Sequence, residues 1–239
     1  MSDLLKLAID AHGGLDRWNK VRSISATLSI SGGLMTIKGF PEILKDVTVA
    51  IEVATPRTVM SPYGGPGRRG VFVPDRVWIE DAVMVKERND PRASFAGHVR
   101  ETPWDELHRL YFLGYAMWNY LSTPFLFTRP GFILEEQPLH EEDGETWRVL
   151  KVTYPPDIPA HCTEQLFYFD EKGMLKRVDY VTDVAGGIAS HYCYDPKSFG
   201  GIVFPTLRRV VKRTPTGPHV SSGTAVLLDY SAIRVTDHD

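Results

Sequence analysis

The chain has 239 residues, 43% of them hydrophobic and 24% charged, the mix of an ordinary globular protein, and a single all-β unit of this length needs no second domain. A net charge of −3 gives no overall basic field, so nucleic acid is not an expected partner. No stretch approaches the roughly 18 apolar residues of a membrane-spanning helix. Met1-Ser2-Asp3-Leu4-Leu5-Lys6 has neither the basic nor the apolar region of an export signal, so a cytoplasmic location is expected, with Cys162 and Cys193 as reduced thiols.

In chain order, residues 3–20 read as an N-terminal helical segment. Asp3 is the expected cap, and Leu4, Leu5, Ala8 and Ile9 form an apolar stripe at helical spacing. Gly13-Gly14 should end the helix, because glycine enters the left-handed region at little cost, and residues 15–18 look like a further short turn. Residues 22–30 alternate strictly, with Ile24, Ala26, Leu28 and Ile30 on one face and serines and a threonine on the other, the period of a half-buried strand. Residues 47–53 repeat the pattern. Short strands follow at 69–72, 77–80 and 82–87, while residues 61–68, rich in Gly and Pro, read as a surface loop or a mobile flap.

Residues 103–121 break the β pattern. Thr102 is the expected N-cap, Pro103 the first helical residue, and Asp105 stands where a capping box wants an acid. From Leu110 to Leu121 the run is apolar nearly all round, so this helix should be buried on most sides. Strands then resume at 132–139, 146–154, 164–169, 174–182, 188–194, 202–212 and 225–235. Asp143-Gly144 is a hairpin signal, and residues 170–173 are another turn. Ten or eleven strands in hairpin succession, without βαβ alternation, predict a mainly β (α+β) fold: a curved antiparallel sheet, or half-barrel, around a central helix. Arg208, Arg209, Lys212 and Arg213 read as a solvated strand face.

Two stretches carry a family resemblance. Ala11-His12-Gly13-Gly14-Leu15-Asp16-Arg17-Trp18, followed by Val21-Arg22-Ser23-Ile24, resembles the N-terminus of the lipoprotein-sorting-carrier-like (LolA/LolB-type) half-barrel superfamily, and the segment from Leu166 to Tyr180 resembles its characteristic hairpin. Together they cover about one fifth of the chain. The resemblance implies an antiparallel half-barrel that holds a helix in its concave face and binds lipidic groups in an apolar cavity. Exported carriers of this type have a signal sequence, which is not seen here. The same fold also serves a cytoplasmic pigment-pathway enzyme of the violacein route.

Two constellations bear on chemistry. On the central helix, His108, Tyr111, Phe112, Tyr115 and Asn119 share one face; the imidazole could move a proton and a tyrosine could donate to an oxyanion, or the whole set could be aromatic core. In the late strands, His191 is a candidate base, with Glu164 or Asp179 to orient it, unless Arg177 and its carboxylates form an outward ion-pair ladder. His108, His191, Glu164, Asp179 and Tyr111 are thus the catalytic candidates. Tyr115, Phe112, Trp118, Asn119, His161 and Tyr192 are the candidate ligand contacts, and no metal set is expected. Without a phosphate loop or a dinucleotide fingerprint, no cofactor is expected either. The expected partner is a small hydrophobic molecule, met by cofactor-independent acid–base chemistry (hydrolysis, elimination, isomerisation or cyclisation) or, alternatively, simply carried.

Overall fold

The computed structural model describes residues 2–214, 217–218 and 223–238. Two small helices, α1 (Asp3–Ala11) and α2 (Leu15–Trp18), precede strand β1 (Val21–Ser31). A one-turn helix, α3 (Gly33–Ile37), leads to β2 (Leu44–Glu52), β3 (Arg57–Ser61), β4 (Arg69–Val73), β5 (Arg76–Glu80) and β6 (Val85–Asn89). The long helix α4 (Glu106–Ser122) then crosses to β7 (Ile133–Glu142), β8 (Glu145–Thr153), β9 (Glu164–Phe169), β10 (Leu175–Val181), β11 (Ile188–Phe199), β12 (Ile202–Thr214), the two-residue β13 (Gly217–Pro218) and β14 (Val226–Asp237).

Every pairing is antiparallel, in the order β6-β5-β4-β3-β2-β1-β14-β12-β11-β10-β9-β8-β7, with β13 paired only to β12. The mainly β half-barrel expected from the strand pattern is therefore present: one curved, unclosed sheet whose edges are β6 and β7. The alternation in β1 sends Ile24, Ala26, Leu28 and Ile30 into the core. At Asp143-Gly144 both residues have positive φ, 51° and 80°, the twist a two-residue hairpin needs.

Helix α4 fills the concave face, packing on β2 to β5 with one side and turning aromatic residues toward the later strands with the other. Its approach to β4 is close. A Cβ at Gly114 would overlap the Cβ of Phe72, and the Thr58 hydroxyl donates to the Gly114 carbonyl at 2.8 Å. Gly114→Ala is therefore expected to lower the unfolding temperature. Overpacking costs about 1–3 kcal/mol, more than the ~1 kcal/mol gained from alanine's better helix propensity. A variant that melts at or above wild type would contradict this contact.

The helix starts later than its sequence suggests. Asp105 rather than Thr102 is the N-cap, accepting from the His108 N–H at 2.8 Å, while the His108 ring takes the Asp105 N–H in the reciprocal half of a capping box. Thr102 is occupied elsewhere, its hydroxyl accepting from Val99 N at 2.9 Å, and Trp104 N donates to the Lys38 carbonyl, which holds residues 102–104 extended. At the N-terminus Ser2, not Asp3, caps α1. The loop at 61–68 is no free flap. Tyr63 is fully buried beneath the start of α4, its hydroxyl donating to the Glu106 carbonyl at 2.9 Å and accepting from Arg109 Nε at 3.1 Å. Strand β3 and helix α3 escaped the sequence pattern, and the strand expected at 82–87 lies at 85–89, because Asp81 folds residues 83 and 84 into a turn by accepting both their N–H groups.

Candidate functional site

The concave side of the later strands is lined by every second residue. From β10 come Val178 and Tyr180, from β11 His191 and Cys193, from β12 Arg208 and Val210, and from β14 Leu228 and Tyr230. Helix α4 faces them with Phe112, Tyr115, Asn119 and Tyr120. His161, on the loop before β9, sits at the centre. Its Nδ1 lies 3.0 Å from the Tyr115 hydroxyl, its Nε2 lies 2.7 Å from the Tyr120 hydroxyl, and its ring stacks on Tyr180 at 4.2 Å. Burial, aided by the Arg92 charge, pushes the His161 pKa down to about 3, so the ring is neutral at pH 7. A neutral imidazole has one N–H, so one tyrosine donates to it and the other accepts from it. Burial likewise raises Tyr115 and Tyr120, which stay protonated.

His191 is fully buried. Neither ring nitrogen has a hydrogen-bond partner among the described residues, and the Tyr120 ring meets it edge-on at 4.6 Å. Burial first, and then the charge of Arg208, holds its pKa well below the usual histidine value. The carboxylate expected to orient it is absent. Val178, not Asp179, is the register partner of His191, so Asp179 opposite Ser190 points to the outer face of the sheet. Glu164 also points outward and pairs with Lys151 at 3.0 Å. Asp179 instead joins a buried outer-face network. It accepts from Tyr168 at 2.9 Å and Ser190 at 2.7 Å, and is paired with Arg177 and Arg213. Tyr192, expected as a ligand contact, belongs to that same network and donates to Glu142 at 2.7 Å.

The remaining candidates divide. His108 serves the capping box and its pKa is lowered by burial; Tyr111 packs against Phe72 and Phe95. Trp118 points away, its Nε1 donating to the Glu52 carbonyl at 2.8 Å, and Asn119 donates to the Tyr115 and Pro159 carbonyls. Phe112, Tyr115, Asn119, His161 and His191 are thus the sequence candidates gathered in the interior.

Arg208, Tyr120, Tyr180 and Cys193 also stand there without having been singled out as site residues. Arg208 overturns the reading of its cluster as a solvated face: it is 2% exposed and turned inward, while Arg213 lies on the outer face. The parity of Phe204, Thr206 and Arg208 along β12 was the available signal.

Two cavities adjoin this centre. An apolar crevice with about 40 Å³ of free space runs between α4 and the later strands, walled by Phe112, Leu113, Met117, Val210 and Leu228. Its charged lining residues, Arg100 and Lys212, are both basic. A smaller cavity, with about 10 Å³ of free space, is lined by Asn119, Gln165, Val178 and Arg208. Tyr120 lines both. A third, wider cleft of about 470 Å³, near Asp90, Arg92 and Pro155–Pro159, is more open to solvent and mixes charged groups with prolines and tyrosines. Among the described residues no set of three or more His, Cys, Asp or Glu could hold a metal ion, and no helix is long and apolar enough to cross a membrane.

No protein-family profile and no curated protein matches the chain. Solved structures do resemble it. A LolA superfamily protein from Nitrosomonas europaea superposes with a TM-score of 0.55 at 10% identity, covering 99% of this chain and 93% of the other. A DUF1329 family protein from Desulfovibrio piger gives 0.52 at 13% identity, covering 97% and 91%. A structure from Vibrio parahaemolyticus titled as an outer membrane lipoprotein-sorting protein domain gives 0.52 at 12% identity, covering 97% and 92%. The chain has the LolA-type half-barrel fold.

Proposed function

We propose that this protein binds a lipid-like hydrophobic molecule in the crevice between α4 and the later strands, and carries or holds it without transforming it. The observation behind this reading is the crevice itself, apolar-walled and free of Asp and Glu along its lining; with about 40 Å³ of free space, it admits a ligand chain as α4 and the later strands move apart. The likeness to a structure titled as lipoprotein-sorting supports it at the level of fold.

Acid–base catalysis is the weaker reading. A general base works best with a pKa near the operating pH, and His161 at about 3 is far from it. His191 is held low as well, and among the described residues neither histidine has a carboxylate to stabilise its charged form.

Native mass spectrometry of the protein purified from its own host, followed by identification of any bound molecule, tests the proposal. A co-purifying species with an acyl or isoprenoid-like mass is expected. The solvent-stripped protein should also take up the apolar dye N-phenyl-1-naphthylamine, and the extracted molecule should displace it. Ligand-free preparations together with no dye uptake would remove the proposal.

A further inference from the structure

Arg208 is a cation without a counter-ion among the described residues. Its side chain is 2% exposed and lies in the interior against Tyr120, whose ring is 5.1 Å from the guanidinium carbon. Nη2 donates to the Tyr120 carbonyl at 3.1 Å, Nη1 reaches only the Cys193 sulfur at 3.3 Å, and Nε has no partner among the described residues. Guanidinium has five N–H donors, and a thiol is a poor acceptor. The ionisable groups that feel its charge most are His12, Tyr120, His191, Cys193 and Tyr230, all of them neutral at pH 7. Neither interior cavity has an Asp or Glu in its lining.

Two other arginines are buried among the described residues, and a carboxylate accompanies each: Arg109, 6% exposed and stacked on Phe40, helps hold the Glu106 carboxyl below its ordinary pKa. Arg177, 1% exposed, is paired with both Asp179 and Glu142. An unpaired charge in a low-dielectric interior is strongly unfavourable. The carbonyl end of α4 offers Arg208 about half a negative charge and offsets only part of that penalty. The rest calls for an anion that the described residues do not supply. Arg208 lines the smaller cavity, and Tyr120, against which it packs, lines both that cavity and the apolar crevice.

We infer that Arg208 is the counter-charge for the acidic head of the ligand, so that the bound molecule is a long-chain carboxylate with its tail in the apolar crevice and its head against the guanidinium, past Tyr120. This inference rests on the proposed hydrophobic-ligand reading and names the ligand's class. A planar guanidinium suits a carboxylate, since two parallel N–H groups can meet its two oxygens.

The test compares dodecanoic acid with its methyl ester, titrated into the stripped full-length chain by calorimetry at pH 7.5. The acid is expected to bind about tenfold or more tightly than the ester, as a charge-assisted hydrogen bond requires. In Arg208→Met the ratio should collapse to about one. A second readout needs no variant: dodecanoic acid labelled with ¹³C at its carboxyl should titrate, when bound, below the free acid. Equal binding of acid and ester by wild type overturns the inference and leaves the carrier reading standing. So does a ratio that survives in Arg208→Met, or one lost instead in Arg100→Gln/Lys212→Gln, which would put the head at the crevice mouth. Failure of both compounds to bind overturns the inference and the carrier reading together. If Arg208→Met does not fold, the wild-type ratio and the carboxyl titration decide.

Discussion

Lowering the pH from 7.5 to 5.5 is expected to cost the folded chain about 4 kcal/mol, before any carboxylate begins to titrate. Three histidines carry this. His12 is buried, its Nδ1 2.7 Å from the Ala8 carbonyl, and burial pushes its pKa down to about 4. Burial takes His161 to about 3 and His191 well below its ordinary value of 6.5. In the unfolded chain all three titrate near 6.5 and take up protons as the pH falls, while in the folded chain they do not. Stability is therefore full above about pH 7.5, falls through the unfolded value, and keeps falling until the folded values are reached. Each histidine contributes about 1.4 kcal/mol over this interval, and the sum is a large share of the 5–15 kcal/mol typical of a domain. Urea denaturation at several pH values reads this directly. His191→Leu should remove about a third of the slope and also stabilise the protein at pH 7.5, since it deletes a buried imidazole with no hydrogen-bond partner among the described residues. A stability that stays flat from pH 7.5 to 5.5 would mean that these rings are hydrated or paired in solution.

Asp179→Ala is expected to destabilise the protein by about 3 kcal/mol and to leave hydrophobic-ligand binding untouched. Removing one member of a buried ion pair strands its partner; here Arg177 would keep Glu142, which places the loss at the lower end of the range for such deletions. Arg177 also lies 4.0 Å from the centre of the Tyr168 ring, which holds the guanidinium in place once its carboxylate is gone. The double variant Arg177→Met/Asp179→Leu should recover part of the stability, because it removes the central charge pair and leaves apolar groups against Trp147, Tyr168 and Tyr192, while Glu142 keeps His140 and Tyr192 and the partly exposed Arg213 keeps access to water. Denaturant midpoints of the single and double variants, with dye binding alongside, check both halves. A single variant within about 0.5 kcal/mol of wild type, or one that loses ligand binding, would overturn the purely structural role.

These residues show where sequence is informative and where it stops. Alternation along one strand tells which residues share a face, and it correctly put His191 beside Cys193 and Arg177 beside Asp179. It does not tell how neighbouring strands align. Shifting β11 by one residue would bring Asp179 opposite His191, and the actual register depends on the turn from Thr182 to Gly187, whose geometry has no simple signature. Arg208 was obscure for a related reason. Val210 and Val211 are both buried, one on each face of the sheet, so the strand gives no clean inside and outside. The aromatic run of α4 and the Asp143-Gly144 hairpin were legible because their signals are local. The start of α4 was not, because a distant contact from Lys38 holds the preceding residues extended.

The place of β1 in the sheet governs the order in which the molecule can assemble. It lies between β2 and β14, so Ser25 finds its partner Arg234 roughly two hundred residues away, and closing so long a loop is slow in folding. Hairpins from β1 to β6 and from β7 to β12 can form early from near neighbours. The seam that joins them waits for the final described strand, which also supplies Val226 and Leu228 to the crevice wall. A growing chain would thus hold two half-sheets and no finished crevice until β14 is made, which ties the proposed binding site to completion of the fold.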